Sequence, residues 1–137
     1  MTGTLKLELV SPERLIFSEE VEMAVLPGGE GDFGVIGGHS PVISTLRPGT
    51  IAIFDGSSVA ARFFVAGGFA EVNSEGCTVL AEAADNIEDF DRVTVAQALH
   101  KAREDLRNAS EEERKGLAQQ VTIGEAKLAA IDSPAYG

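Results

Sequence analysis

At 137 residues and a formal net charge of -11, the chain is one domain with at most an appendage, and buries roughly two-thirds of its unfolded surface around a single core. Residues 1–81 hold 10 acids and 4 bases and residues 82–137 hold 12 and 7, so neither part forms the basic patch that nucleic acid or a bare anionic lipid surface requires. The single cysteine, Cys77, excludes an intramolecular disulfide and a thiolate metal cluster, and no run reaches the ~18 apolar residues of a membrane span.

The first segment, MTGTLKLELVSPE, has neither a signal-peptide apolar stretch nor an Arg-rich transit pattern, which predicts a chain that is soluble and cytoplasmic, or already mature. Leu5, Leu7 and Leu9 alternate with Lys6 and Glu8, the period of a half-buried strand. Ser11-Pro12-Glu13 turns the chain. Leu15 to Phe17 and Val21 to Val25 give further strand material, broken at Pro27-Gly28-Gly29. Phe33 to Ile36 and Val42 to Leu46 are short strands around the turn at Gly37-Gly38. Ile51 to Phe54 and Val59 to Val65 flank Asp55-Gly56, a hairpin signal, and Phe69 to Val72 and Cys77 to Ala81 flank a second turn at Asn73 to Gly76. Many short strands at this spacing predict a sandwich or a barrel, and the lack of intervening helices excludes a doubly wound parallel sheet.

Near residue 85 the pattern changes. Val95, Leu99, Ala102 and Leu106 share one face of a helix, for which Thr94 with Gln97 or else Asp91 supplies the cap. Asn108 and Ala109 end it. Ser110 with Glu113 is a capping box opening a second helix, with acids at its positive end. Leu117, Val121, Gly124, Leu128 and Ile131 then repeat at heptad-like spacing, and Ser133-Pro134 stops the helix. The short connection predicts an antiparallel pair. Gly116 and Gly124 each cost about 1 kcal/mol relative to Ala, so the second helix is marginal alone.

Gly29, Gly31 and Gly34 match the G-x-G-x-x-G spacing, but Val35, Ile36, two glycines and Pro41 follow instead of the helix a pyrophosphate site needs; turn chemistry accounts for them. His39 and His100 lack metal-site spacing, Cys77 reads as a small core residue, and nothing assembles a nucleophile, a base and an oxyanion site. Glu30 and Asp32 on the glycine-rich loop either meet a basic partner or serve solubility. The residues alone therefore support a β domain with a helical hairpin that binds rather than catalyses.

The stretch LKLELVSPERLIFSEEVEMAVLPGGEGDFGVIGGHSPVISTLRPG, with its G-x-x-G-H-x-P, and the later FFVAGGFAEVNSEGCTVLAEAA together resemble the ε subunit family of bacterial F-type ATP synthases, equivalent to the mitochondrial δ subunit. The resemblance covers nearly the whole chain. It implies an α+β fold: an N-terminal antiparallel β-sandwich over residues 1–84 and a C-terminal antiparallel two-helix hairpin over residues 85–137. It implies a non-catalytic rotor subunit of the central stalk, binding the γ subunit and the c-subunit ring, peripheral at the cytoplasmic face of a bacterial inner membrane. Carried over by position, Glu30, Gly31, Asp32 and His39 become the ring contact.

In many members the hairpin inhibits ATP hydrolysis by extending toward the catalytic α and β subunits, and some bind ATP at an I-D-x-x-R-A-x-x-A-x-x-R-A pattern. Here Asp91, Ala98 and Ala102 match that pattern, whereas Thr94 and Lys101 stand where arginines are expected. Losing the guanidinium fork weakens phosphate recognition, so weak or absent ATP binding is expected. The second helix has only Arg114, Lys115 and Lys127 among several acids, which predicts weak inhibition. The rival readings are a free-standing regulatory sandwich module and a small nucleotide-binding enzyme using the Gly29 loop.

Overall fold

The computed structural model describes residues 3–137, so the first two positions of the expected sandwich segment lie outside the described residues. Ten strands precede the helices: β1 (Leu5–Val10), β2 (Leu15–Val21), β3 (Met23–Gly28), β4 (Gly31–Ile36), β5 (Val42–Leu46), β6 (Gly49–Asp55), β7 (Ser58–Val65), β8 (Gly68–Val72), β9 (Gly76–Ala81) and β10 (Ala84–Asn86). They form two layers. In one, β4, β3, β6, β7 and β10 lie side by side; in the other, β5, β8, β9, β1 and β2 do. A single residue pair between β3 and β5, Gly28 with Leu46, links the layers. The alternation in β1 places Leu5, Leu7 and Leu9 between them, with Leu26, Val35, Ile51, Val65, Val72, Cys77 and Val79. These inward side chains make one sandwich core, as the period-two pattern requires.

Three features depart from the sequence-based expectation. Pro27 and Gly28 do not break the chain but continue β3, which pairs with β4 as far as Gly28 opposite Gly31, leaving Gly29-Glu30 as a two-residue turn. Glycine is required there: Gly31 has φ +144°, and a Cβ on Gly28 would lie 2.6 Å from the Gly31 carbonyl oxygen. Second, β1 pairs with β9 in parallel, Leu7 opposite Cys77. No hairpin turn connects those strands, so nothing local imposes the antiparallel sense of the other pairs. Third, Ala84–Asn86 adds a short strand to β7, with Ala84 opposite Val65. Three residues are too few to show a period.

After a 3-10 turn at Ile87–Asp89 come α1 (Arg92–Arg107) and α2 (Glu111–Asp132). Asp91, not Thr94, caps α1: its carboxylate accepts from the Thr94 amide at 3.2 Å and the Thr94 hydroxyl at 2.6 Å. The Ser110–Glu113 capping box of α2 forms in both directions. The helices are antiparallel. Arg92, at the start of α1, meets Asp132, at the end of α2, through two bonds of 2.7 and 2.8 Å, and Arg103 meets Glu125 at 2.8 Å. Gly124 has a packing reason to be glycine, because a Cβ there would stand 3.1 Å from Leu99 Cδ1.

The hairpin lies on the outer face of the first layer. Phe64, on the opposite side of β7 from Phe63 and Val65, packs with Ala66, Ala130, Ile87, Phe90, Ile123 and Ala126 in a second cluster. Phe64 and Phe90 meet edge to face at 5.8 Å, and the Lys127 ammonium sits 5.2 Å from the Phe90 ring.

Candidate functional site

The acidic turn of the β3–β4 hairpin projects from one corner of the sandwich. Glu30, Gly31 and Asp32 are adjacent and exposed there. His39 is not with them. It follows the other end of β4, where its amide donates to the Ile36 carbonyl at 3.2 Å, so a six-residue strand, roughly 20 Å, separates it from the acids. What unites the four residues is β4, which pairs with β3 alone and is therefore an edge strand.

Asp32 is held from two sides. Arg47 donates from one guanidinium nitrogen to Asp32 Oδ1 at 2.5 Å and from another to the Gly28 carbonyl at 2.6 Å. The Tyr136 hydroxyl donates to Asp32 Oδ2 at 2.5 Å. Partial burial pushes the Asp32 carboxyl up, but the hydrogen bonds from Tyr136 and Arg47 and the guanidinium charge outweigh it, holding the group below the usual carboxylate range. Neither Arg47 nor Tyr136 was legible as a partner of Asp32. Tyr136 lies 104 residues away, and no local period links positions so far apart.

A second surface escaped the reading of motifs. The strand register aligns Thr45, Phe69, Leu80, Val10 and Leu15 in one row across the outer face of the second layer. Phe69, Leu80 and Leu15 remain 47%, 44% and 54% exposed, and Ile43 nearby is 73% exposed. The signal was present. In GFAEV the inward residues are Ala70 and Val72, and in GCTVLA they are Cys77, Val79 and Ala81, which leaves Phe69 and Leu80 as outward apolar residues on a polar phase.

The third location is a hollow of about 280 Å³ along the hairpin, lined by Thr94, Val95, Ala98, Leu99, Ala102, Gln120, Ile123, Gly124 and Lys127. Of the residues expected at the ATP pattern, Thr94, Ala98 and Ala102 line it. Asp91 is engaged in capping, and its bonds from the Thr94 side chain and amide hold its carboxyl low. Lys101 points elsewhere and pairs with Asp105 at 3.0 Å. The one base lining the hollow, Lys127, is stationed over the aromatic rings.

A match to the family described as the ATP synthase, Delta/Epsilon chain, beta-sandwich domain spans residues 4–87, from just before β1 to just past β10. The chain belongs to the ATP synthase delta/epsilon family. Among its relatives, the ATP synthase epsilon chain of Rhodospirillum rubrum is 50% identical over 131 residues, covering 95% of this chain and 98% of that one. That of Rhodospirillum centenum is 43% identical over 139 residues, covering 97% and 95%. A chain from the mitochondrial ATP synthase of Euglena gracilis, solved with OSCP, F1 and c-ring, superposes with a TM-score of 0.82 at 26% identity, covering 96% of this chain and 83% of that chain. A chain from the central stalk and c-ring of the Tetrahymena thermophila enzyme shares the fold, with a TM-score of 0.62 at 12% identity, over 93% and 96% of the two chains. Family members of this kind are subunits of the ATP synthase complex and not its catalytic subunits.

Proposed function

We propose that this chain is a rotor subunit of the central stalk that couples turning of the c-ring to ATP synthesis by binding the γ subunit with one face and the ring with one edge. The observation that carries this reading is the asymmetry of the sandwich. The outer face of the first layer is covered by the chain's own hairpin, whereas the second layer presents an aligned apolar row with nothing over it. An uncovered row of this kind on a charged chain fits a protein interface, and an aromatic near its centre fits an anchor. The γ subunit is the occupant assigned to the row around Phe69 and Leu80.

The ring contact falls to edge strand β4. A strand lying along a broad surface touches it at both ends, which reconciles the separation of Glu30 and Asp32 from His39. Acids at the turn suit the basic loops that the family resemblance implies for the ring. The relatives' names and the c-ring in the Euglena assembly support a subunit of the rotor, without bearing on which edge meets the ring, and no helix among the described residues is long and apolar enough to cross a membrane. The same reading sets the subunit at the cytoplasmic face of a bacterial inner membrane.

Two substitutions separate the contacts. Phe69→Ala lowers affinity for γ by tenfold or more, about the loss expected for a central aromatic, and leaves thermal stability of the exposed site unchanged. Glu30→Lys leaves γ binding intact and weakens only the complex that contains the ring. Equal affinity of Phe69→Ala and the parent for γ overturns the assignment.

The hairpin, on this reading, is a weak inhibitor at most and a poor nucleotide site. Its hollow offers one base, already held by cation–π contacts, and a titration with ATP gives a Kd of about a millimolar or weaker. Hydrolysis by the soluble rotary complex is then compared with the full chain and with a chain ending at Ile87, which keeps β10. Little difference is expected; a several-fold rise on truncation makes the hairpin an inhibitory arm.

A further inference from the structure

We propose that Arg47 is a positioning residue for the ring contact: it grips the acidic turn of the β3–β4 hairpin from both strands and fixes it to the layer assigned to γ. The inference deepens, and rests on, the reading of that turn as the ring contact. Arg47 and Pro48 are the two-residue crossing from β5 in the second layer to β6 in the first. The Arg47 amide donates to the Pro27 carbonyl at 2.9 Å, and the Gly29 amide donates to the Thr45 carbonyl at 2.9 Å. The Arg47 side chain then reaches over the mouth of the turn. One guanidinium nitrogen holds the Gly28 carbonyl, at the end of β3, and another holds Asp32, near the start of β4. A planar fork spans two such acceptors at once and in fixed geometry.

The charge of Arg47 has the wrong sign for the partner proposed at this corner. A base beside Glu30 and Asp32 subtracts from their attraction to basic loops, so on charge alone its removal tightens the ring contact. Nor does the pair add much to folding: the two side chains are 44% and 37% exposed, and exposed ion pairs are worth little. What the grip supplies is placement. Gly29, Glu30 and Gly31 are all exposed, and two of the three are glycines, so the tip has little side-chain packing of its own to hold it. Asp32 gives Arg47 one lone pair of Oδ1 and keeps acceptor capacity for a partner. Thr45, two residues before Arg47, stands in the row assigned to γ. The two assigned contacts are thus joined through three consecutive residues, Thr45 to Arg47, and torque passes between them without a hinge.

The test measures binding of the full chain to γ alone and to the γ–c-ring rotor, and reads the gain in affinity that the ring adds. Arg47→Ala shrinks that gain several-fold, leaves affinity for γ alone at the parent value and scarcely moves the urea midpoint. Arg47→Lys, which keeps the charge on a single donor group, recovers part of the gain. An Arg47→Ala gain equal to or larger than the parent's means that charge alone governs, and overturns the proposal. So does an equal loss toward γ alone, which makes Arg47 part of the γ face. Hydrogen exchange on the free chain reads the grip itself: Arg47→Ala raises exchange of the Gly29 amide several-fold, with β1 and β9 unchanged as an internal control, and unchanged Gly29 exchange overturns the grip. Failure of the ring reading shows separately, as an unaltered gain for Glu30→Lys while the free-chain exchange difference persists.

Discussion

Asp32 and Tyr136 set opposite limits on the pH range in which the tail is held. The folded Asp32 carboxyl titrates below its ordinary value of 3.8, so its contribution is complete above that value and fades as pH falls through the lowered one. The hydrogen bond to Asp32 raises the Tyr136 phenol above its ordinary 10.0, helped by burial and the nearby carboxylate charge and opposed by Arg47. That contribution is complete below 10.0 and is lost as pH rises through the raised value. Protection of residues 133–137 is expected to be flat between these limits and to fall at both ends. A phenolate absorbance titration of the single tyrosine reads the upper limit directly. Cys77 gives a complementary case. Burial in the sandwich core pushes its thiol up to about 11, so a thiol reagent at neutral pH labels it only at the rate at which the core opens. Fast, stoichiometric labelling of the folded chain contradicts that. The sequence already marked Cys77 as a small core residue. It could not mark Tyr136, whose role depends on where the end of α2 delivers it.

At the scale of elements, the two glycines of α2 look alike in sequence and differ in the fold. A Cβ on Gly116 meets nothing within 4 Å, whereas one on Gly124 comes to 3.1 Å from Leu99 Cδ1 and 3.2 Å from its Cβ. Gly116→Ala should therefore stabilise the hairpin by up to about 1 kcal/mol, the full difference in helix propensity. Gly124→Ala gains less, because Leu99 must shift to admit the methyl. Helical circular dichroism followed through a urea series separates them, and equal gains contradict the close crossing. Removing the cap by Ser110→Ala costs about 1 kcal/mol in the same assay. The helices were legible because capping and periodicity act within a few residues. Asp91 displaced Thr94 as the cap because its carboxylate reaches both Thr94 donors at once. The hairpins of β6–β7 and β8–β9 were legible from their turn residues. The parallel β1–β9 pairing and the three-residue β10 were not, since both depend on contacts across the fold.

For the whole molecule, charge and apolar surface divide the work of association. The chain carries a net -11, and its acids are spread over both segments, so long-range attraction to a basic partner acts on the molecule as a whole. The row through Phe69 and Leu80 is short-ranged and acts only after contact. Added salt screens the first and barely touches the second, the Debye length falling from about 10 Å at 0.1 M to about 3 Å at 1 M. Association with the rotor should therefore slow as ionic strength rises, with a dissociation rate that changes little. Phe69→Ala should show the reverse, an almost unchanged association rate and a faster dissociation. Surface-immobilised rotor, with the full chain in solution at several salt concentrations, measures both rates. If salt accelerates dissociation while Phe69→Ala slows association, the charges are buried in the interface and the apolar row guides the encounter, and the two surfaces exchange the roles given to them here.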